Sequence, residues 1–345
     1  MTTQNVTDVL ARLDTIEQES TQLKQQYGQL AAQSKNERRR YRVQMGLALT
    51  AVAGALFLSP GNRAALAQAG TDLATRVAAL EAKTQFMSAD PVALTTTFTG
   101  CNVYIQSGSG STDDGTADGG GTLTGLGNLI IGYDGFGRGG GDVRTGSHNL
   151  ILGDQNNYSS YAGMISGNFN AISAPYACVI SGQGNTASAG NALVSGGLSC
   201  AADGFFATTS GGYSNFAAGY ASSVSGGIYN NAYGQCASVS GGWENNAYAN
   251  YSSVSGGNGN NANGQYSWVG GGQGNTASGP EASVSGGIAN RATQTYASIS
   301  GGEWNTSSGY ASMVCGGYYN TASGYMSSIL GSAGITLSST YGHSP

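Results

Sequence analysis

The stretch Ala221-Ser-Ser-Val-Ser-Gly-Gly-Ile-Tyr-Asn-Asn-Ala-Tyr-Gly234 decides the fold, because its pattern returns along the chain at a fixed spacing. Its aliphatic residue recurs at Val224, Val239, Val254, Val269, Val284, Ile299 and Val314, each 15 residues from the next. Six positions after each stands an asparagine: Asn230, Asn245, Asn260, Asn275, Asn290, Asn305 and Asn320. A small residue follows two further on. Traced backwards, the aliphatic column runs through Thr209, Val194, Ile180, Ile165 and Ile151 in steps of 14 or 15, and forwards it reaches Ile329. About thirteen units cover residues 148–332.

A period of 15 with Gly-Gly in most units does not suit a helix, whereas Val, Ser and Tyr favour short strands joined by tight turns. Two short strands and two turns per unit make one coil of a parallel β-solenoid, in which equivalent positions stack in columns. Val/Ile then forms a buried ladder with Ala and Ser beside it. The Asn side chains are placed to hydrogen-bond up and down the stack. At ~4.8 Å per rung, thirteen rungs give a rod of about 60 Å.

The core of such a rod is thin. Residues 211–330 hold eleven Leu, Ile or Val and one Phe, and each buried aliphatic contributes roughly 1.5–3 kcal/mol. Ordering the backbone costs about 1–2 kcal/mol per residue. Oligomerisation is therefore expected, most simply as a three-fold bundle of solenoids.

Composition limits the function. The chain of 345 residues has 58 Gly, 20 Tyr and only 9% charged residues, too Gly-rich for an average globular domain and too uncharged for ordinary disorder. Residues 88–345 carry three Arg, no Lys and eleven acids, a net charge of about −8 that excludes nucleic acid as the expected partner. His148 and His343 are the only histidines, so catalysis and multi-His metal binding lack raw material. No cofactor, no metal site and no enzymatic activity are expected. Cys101, Cys178, Cys200, Cys236 and Cys315 lack C-x-x-C spacing and read as small buried thiols, with an intersubunit disulfide as the minority reading.

The repeat resembles the left-handed parallel β-roll of trimeric autotransporter adhesin heads, whose unit reads N-S-V-A-I-G-x-x-S-x-A-x-G. The Val, the Gly and the A-x-G of the second strand match in Ala221–Gly234. The period is 15 rather than 14, Gly-Gly replaces I-G, and Asn takes the Ser place. Gly125-Leu-Gly-Asn-Leu-Ile-Ile-Gly132 and Arg144-Thr-Gly-Ser-His-Asn-Leu-Ile-Leu-Gly153 are also similar to the start of bacterial surface proteins with this kind of repeat. The resemblance covers residues 89–332 and implies a trimeric, non-enzymatic surface head. Members of that family end in a membrane-anchor barrel. Residues 333–345 read as a tail without such strands, so anchoring is expected from the N-terminal region or from partners.

That region reads as a stalk. Val6, Val9, Leu13, Ile16, Ser20, Leu23, Tyr27 and Leu30 form a heptad seam, placing a coiled coil over residues 1–34. A second seam, Leu66, Leu73, Val77, Leu80, Thr84 and Met87, places a stalk over residues 68–88. Between them, residues 35–67 hold the basic cluster Arg38-Arg-Arg-Tyr-Arg42 and the apolar run of 14 from Met45 to Leu58. The run is short for a membrane span and normal for a signal peptide. Two readings stay open: cleavage after Ala65-Leu-Ala67, or a retained anchor using residues 44–59. Both export everything beyond it.

Residues 89–147 read as a Gly-rich connector or cap. Asp113, Asp114 and Asp118 lack calcium-loop spacing and read as a solvated acidic loop. His148 reads as a hydrogen-bonded cap. Tyr213, Trp243 and Tyr318 share the column after Gly-Gly, beside Tyr229, Trp304 and Tyr319, and form the candidate contact surface, either for a ligand or between subunits. The expected function is adhesion at the cell surface to a host, matrix or glycan ligand, with a self-assembling filament or matrix subunit and a phage-type fibre tip as alternatives. An ice-binding Thr ladder is disfavoured, since Thr186, Thr276, Thr306 and Thr321 share their column with Phe216, Asn231, Asn246, Asn261 and Arg291.

Overall fold

The computed structural model describes residues 60–116, 121–135 and 141–345, with isolated positions before residue 60. The seam over residues 1–34, the basic cluster and the apolar run lie outside the described residues, as does Asp118. The chain divides into two units, Met1–Tyr104 and Ile105–Pro345.

In the first unit, helix α1 spans Pro60–Thr84. Proline suits a first turn because its missing N–H has no partner to lose there. Leu73 and Leu80 of the second seam are exposed along the helix. Met87 lies outside it: the helix stops at Thr84, and Met87 opens strand β1 (Met87–Asp90), which pairs antiparallel with β2 (Thr95–Phe98). Asp90 Oδ1 accepts the N–H groups of Val92 at 2.9 Å and Ala93 at 3.1 Å, and this closes the turn between them.

The second unit is a parallel β-solenoid of about thirteen coils. Each coil contributes a two-residue strand such as Ser223–Val224 to one sheet and another such as Asn231–Ala232 to a second. The first sheet has 15 strands and the second 13, and every pairing within them is parallel. A third line of single bridges runs through Tyr213, Ile228 and Trp243. The repeat dictates this arrangement. The valine turns inward while its flanking serines turn outward, and Gly227 at φ +87° reverses the chain where a Cβ would collide with the Gly242 carbonyl of the next coil.

Val224, Val239, Val254, Val269, Val284, Ile299 and Val314 are fully buried, facing the alanines of the second sheet. The column breaks register once against expectation. Val179, not Ile180, pairs with Val194 and is 0% exposed, whereas Ile180 is 44% exposed. The spacing explains it, because Val179 stands six residues before Asn185, as Val224 does before Asn230. The ladders also extend beyond residues 148–332. Strand β3 (Leu129–Ile131) joins β4 (Leu150–Asp154) at one end. At the other end, Thr336–Leu337 and His343–Ser344 pair with the preceding coil, so the segment expected as a tail carries strands.

The asparagines form the second internal ladder and bond mainly to backbone groups, with one amide-to-amide bond in the column, from Asn245 Nδ2 to Asn230 Oδ1 at 3.1 Å, and a short amide stack beside it through Asn231, Asn246 and Asn261. Asn230 donates its N–H to Asn215 Oδ1 at 2.9 Å, and its Nδ2 donates to Gly226 O at 2.9 Å and Gly242 O at 2.9 Å. Each asparagine thus ties its own turn to the coil on either side. Cys200 interrupts the column, taking the place of an Asn rather than of an Ala or Ser. Cys200 is also the only cysteine that is buried. Cys101 and Cys236 are exposed and Cys178 and Cys315 half-buried, because they occupy outward positions.

Candidate interaction surface

Each coil has two corners where the chain passes between sheets, and both place residues at positive φ. At the corner after Gly-Gly, Tyr229 and Trp304 each stand at φ +57° and Tyr319 at +58°. All six predicted contact residues, Tyr213, Tyr229, Trp243, Trp304, Tyr318 and Tyr319, are exposed there. They form two groups. Tyr213 meets Tyr229 edge-on at 5.3 Å, and Tyr319 stacks on Trp304 at 5.9 Å while meeting Tyr318 at 4.3 Å. The Tyr213 hydroxyl raises the Tyr229 phenol above its ordinary value, and burial raises that of Tyr318, so both remain neutral donors at pH 7. Three coils without rings at this corner, with Asn258 and Gly259, Gln273 and Gly274, and Ile288 and Ala289, separate the two groups.

The opposite corner carries a longer line of rings that the sequence reading missed. It includes Phe205, Phe206 and Tyr220, then Tyr251, Tyr266, Tyr296, Tyr310, Tyr325 and Tyr341, all between 39% and 67% exposed. Neighbouring rings touch: Tyr251 and Tyr266 stack at 4.9 Å, Tyr310 and Tyr325 at 5.2 Å, and Tyr325 meets Tyr341 edge-on at 5.7 Å. The rings alternate between two adjacent positions of the repeat, so no single column of the alignment is aromatic throughout. Only the geometry joins them.

The start of the solenoid holds a polar cluster, and Asp114 in it is not the solvated acid expected. Its Oδ1 accepts the hydroxyls of Ser107 at 2.5 Å and Ser109 at 2.6 Å, and its Oδ2 accepts the Thr124 N–H at 2.7 Å and hydroxyl at 2.8 Å. Burial opposes its ionisation, but the bonds from Ser107, Ser109, Ser147 and Thr124 outweigh it and hold the carboxyl far below the usual range. His148 Nδ1 donates to Thr112 O at 2.9 Å while Nε2 accepts the Ser107 N–H at 3.1 Å. Both ring nitrogens are thereby occupied in holding the cap. Nearby, Arg144 lies 3.4 Å from Asp134, whose Oδ1 accepts the Asn156 N–H where the asparagine ladder begins. Among the described residues no group of three His, Cys, Asp or Glu could hold a metal ion, and no helix is long and apolar enough to cross a membrane.

No protein-family model matches the chain, and no curated protein matches it.

Proposed function

We propose that the protein is an exported, non-enzymatic surface protein whose solenoid mediates adhesion. In this reading the solenoid is a left-handed β-roll head held as a homotrimer on an N-terminal coiled-coil stalk, with residues 35–67 directing export. The observation that carries it is the display of rings on an almost uncharged surface. Two corners of the solenoid hold exposed Tyr, Trp and Phe on a backbone fixed by the valine and asparagine ladders. Exposed rigid aromatics supply recognition area at low entropic cost. The sparse cations disfavour nucleic acid. The polar cluster at the start of the solenoid commits its histidine and carboxylate to structural bonds.

Three measurements on intact cells and purified protein test the reading. Protease applied outside the cell should digest the solenoid's epitope, sedimentation should give three chains per particle, and the protein should retain cells or matrix on a coated surface. An epitope protected until the cells are broken open would overturn it.

A further inference from the structure

The aromatic edge at the corner opposite the Gly-Gly turns has properties that neither fold nor core requires. Its second position stands at positive φ in every coil from Tyr176 to Tyr341, yet none of those twelve residues is glycine. At the other corner glycine fills the equivalent place at Gly184, Gly259, Gly274 and Gly334. A bulky residue in this conformation is strained where glycine would be free. Here Tyr251, Tyr266, Tyr296 and Tyr341 accept the strain at φ values of +60°, +58°, +59° and +55°.

We infer that this edge is a binding track for a linear, neutral polysaccharide, which gives the proposed adhesion its ligand class and rests on that reading. From Tyr251 to Tyr341, six of seven consecutive coils place a ring on the edge, and the exception, Glu281, pairs with the Tyr296 phenol and raises it above its ordinary value. Rings repeating every ~4.8 Å along a straight line match a ligand that itself repeats and extends. Rows of half-buried hydroxyls flank them, with Ser278, Thr293 and Ser308 before the corner and Ser253, Ser283 and Ser298 after it. The stacked pairs Tyr251–Tyr266 and Tyr310–Tyr325 cover part of each other's faces and leave about half of each ring exposed. Apolar ring surface beside phenol, Ser and Thr hydroxyl donors and acceptors is what a neutral sugar chain requires. A polyanion would need Lys or Arg, and the edge has none. A second copy of the chain fits poorly, because an edge about 30 Å long and one or two side chains wide offers roughly 300–400 Å², well under the ~800 Å² per partner of a stable complex.

The full chain is tested by affinity electrophoresis and pull-down against cellulose, chitin, β-1,3-glucan and mannan, with heparin and alginate as polyanionic controls. A variant combining Tyr251→Gly, Tyr266→Gly, Tyr310→Ser and Tyr325→Ser removes the rings while relieving strain at the first two positions. A second set replaces the same four residues by Phe. At least one neutral polysaccharide should bind, the Gly/Ser set should weaken it by about tenfold or more with circular dichroism unchanged, and the Phe set should retain most of it. Failure of all four neutral polymers, undiminished binding by the Gly/Ser set, or preference for heparin or alginate would overturn the track. Dissociation of the oligomer by the Gly/Ser set would also overturn it, assigning the edge to a second copy. Should the Gly/Ser set keep full adhesion to cells or matrix, only the track falls. If the wild-type chain adheres to nothing, the adhesion reading falls with it.

Discussion

Asn230 Nδ2 reaches across the coil boundary to the Gly242 carbonyl at 2.9 Å, twelve residues further on. Gly227, in turn, approaches that same carbonyl so closely that no side chain would fit there. The asparagine and the glycine column are therefore one device. Glycine lets successive turns come together, and asparagine adds a side-chain bond to a carbonyl that also accepts the Ile228 N–H at 2.9 Å. With core side chains as small as Val and Ala, these bonds add to the apolar burial that joins neighbouring coils.

Breaking the ladder in mid-rod should show this directly. Asn245 donates to Gly241 O and Gly257 O, both at 2.9 Å, and accepts the Asn260 N–H at 3.0 Å. Asn245→Ala removes all three of these bonds: the Gly241 carbonyl and the buried Asn260 N–H lose their asparagine partner, and the Gly257 carbonyl keeps only the Trp243 N–H at 2.9 Å. At about 1 kcal/mol per bond the loss should approach ~3 kcal/mol, and Asn245→Asp should cost more, because a carboxylate cannot donate to two carbonyls. Urea unfolding followed by circular dichroism measures both, and a change near zero would show that the ladder does not hold the coils.

The converse substitution should stabilise. Cys200 stands in the asparagine column, where its Sγ makes weak contacts at 3.5 Å with Gly211 O and Gly212 O and at 3.8 Å with Leu198 O. Burial also raises its thiol pKa, so it stays a neutral, poor donor. Cys200→Asn should restore the two carbonyl bonds and raise stability by roughly 1 kcal/mol, seen as a higher melting temperature. A lower melting temperature would mean that the neighbouring coils cannot make room for the amide.

How much of this was legible depends on how each residue is constrained. Val224 and Asn230 were readable because a fixed inward direction allows few substitutes, so the same residue types recur every 15 positions. Ile180 was misplaced because two aliphatics, Val179 and Ile180, stand side by side and only the distance to Asn185 separates them. The long aromatic edge escaped because Tyr296 and Tyr310 hold neighbouring positions of the repeat rather than the same one, and outward corners tolerate many residues. The Asp114 cluster escaped for another reason. His148 meets Ser107 and Thr112 from 41 and 36 residues away, a pairing that no local pattern announces.

The same cluster makes the cap sensitive to acid. The Asp114 carboxyl is held well below its unfolded value of ~3.9 by the bonds it accepts. The folded state thus binds its proton less readily than the unfolded state, so the stabilisation is present above about pH 4 and is lost as pH falls below it. Amide hydrogen exchange across residues 105–150 should accelerate between about pH 4 and pH 2, ahead of the mid-rod coils. Asp114→Asn should exchange faster at neutral pH and lose much of that pH dependence. An unchanged profile would remove Asp114 from the cap's stability.

The shorter aromatic corner distinguishes ligand from subunit. Trp243 and Trp304 are 50% and 49% exposed, and Trp304 stacks on Tyr319. Fully burying a large aromatic contributes about 1.5–3 kcal/mol. If neighbouring subunits cover these indoles, Trp243→Ala with Trp304→Ala should lower the association constant by at least about tenfold, with loss of trimer on dilution in sedimentation. If they face a ligand, the trimer should persist and cell or matrix retention should fall by a similar factor. The proposed display of rings on a free surface expects the second outcome, and dissociation would instead make this corner the seam of the trimer, leaving the long edge of Tyr251 to Tyr341 as the surface for recognition.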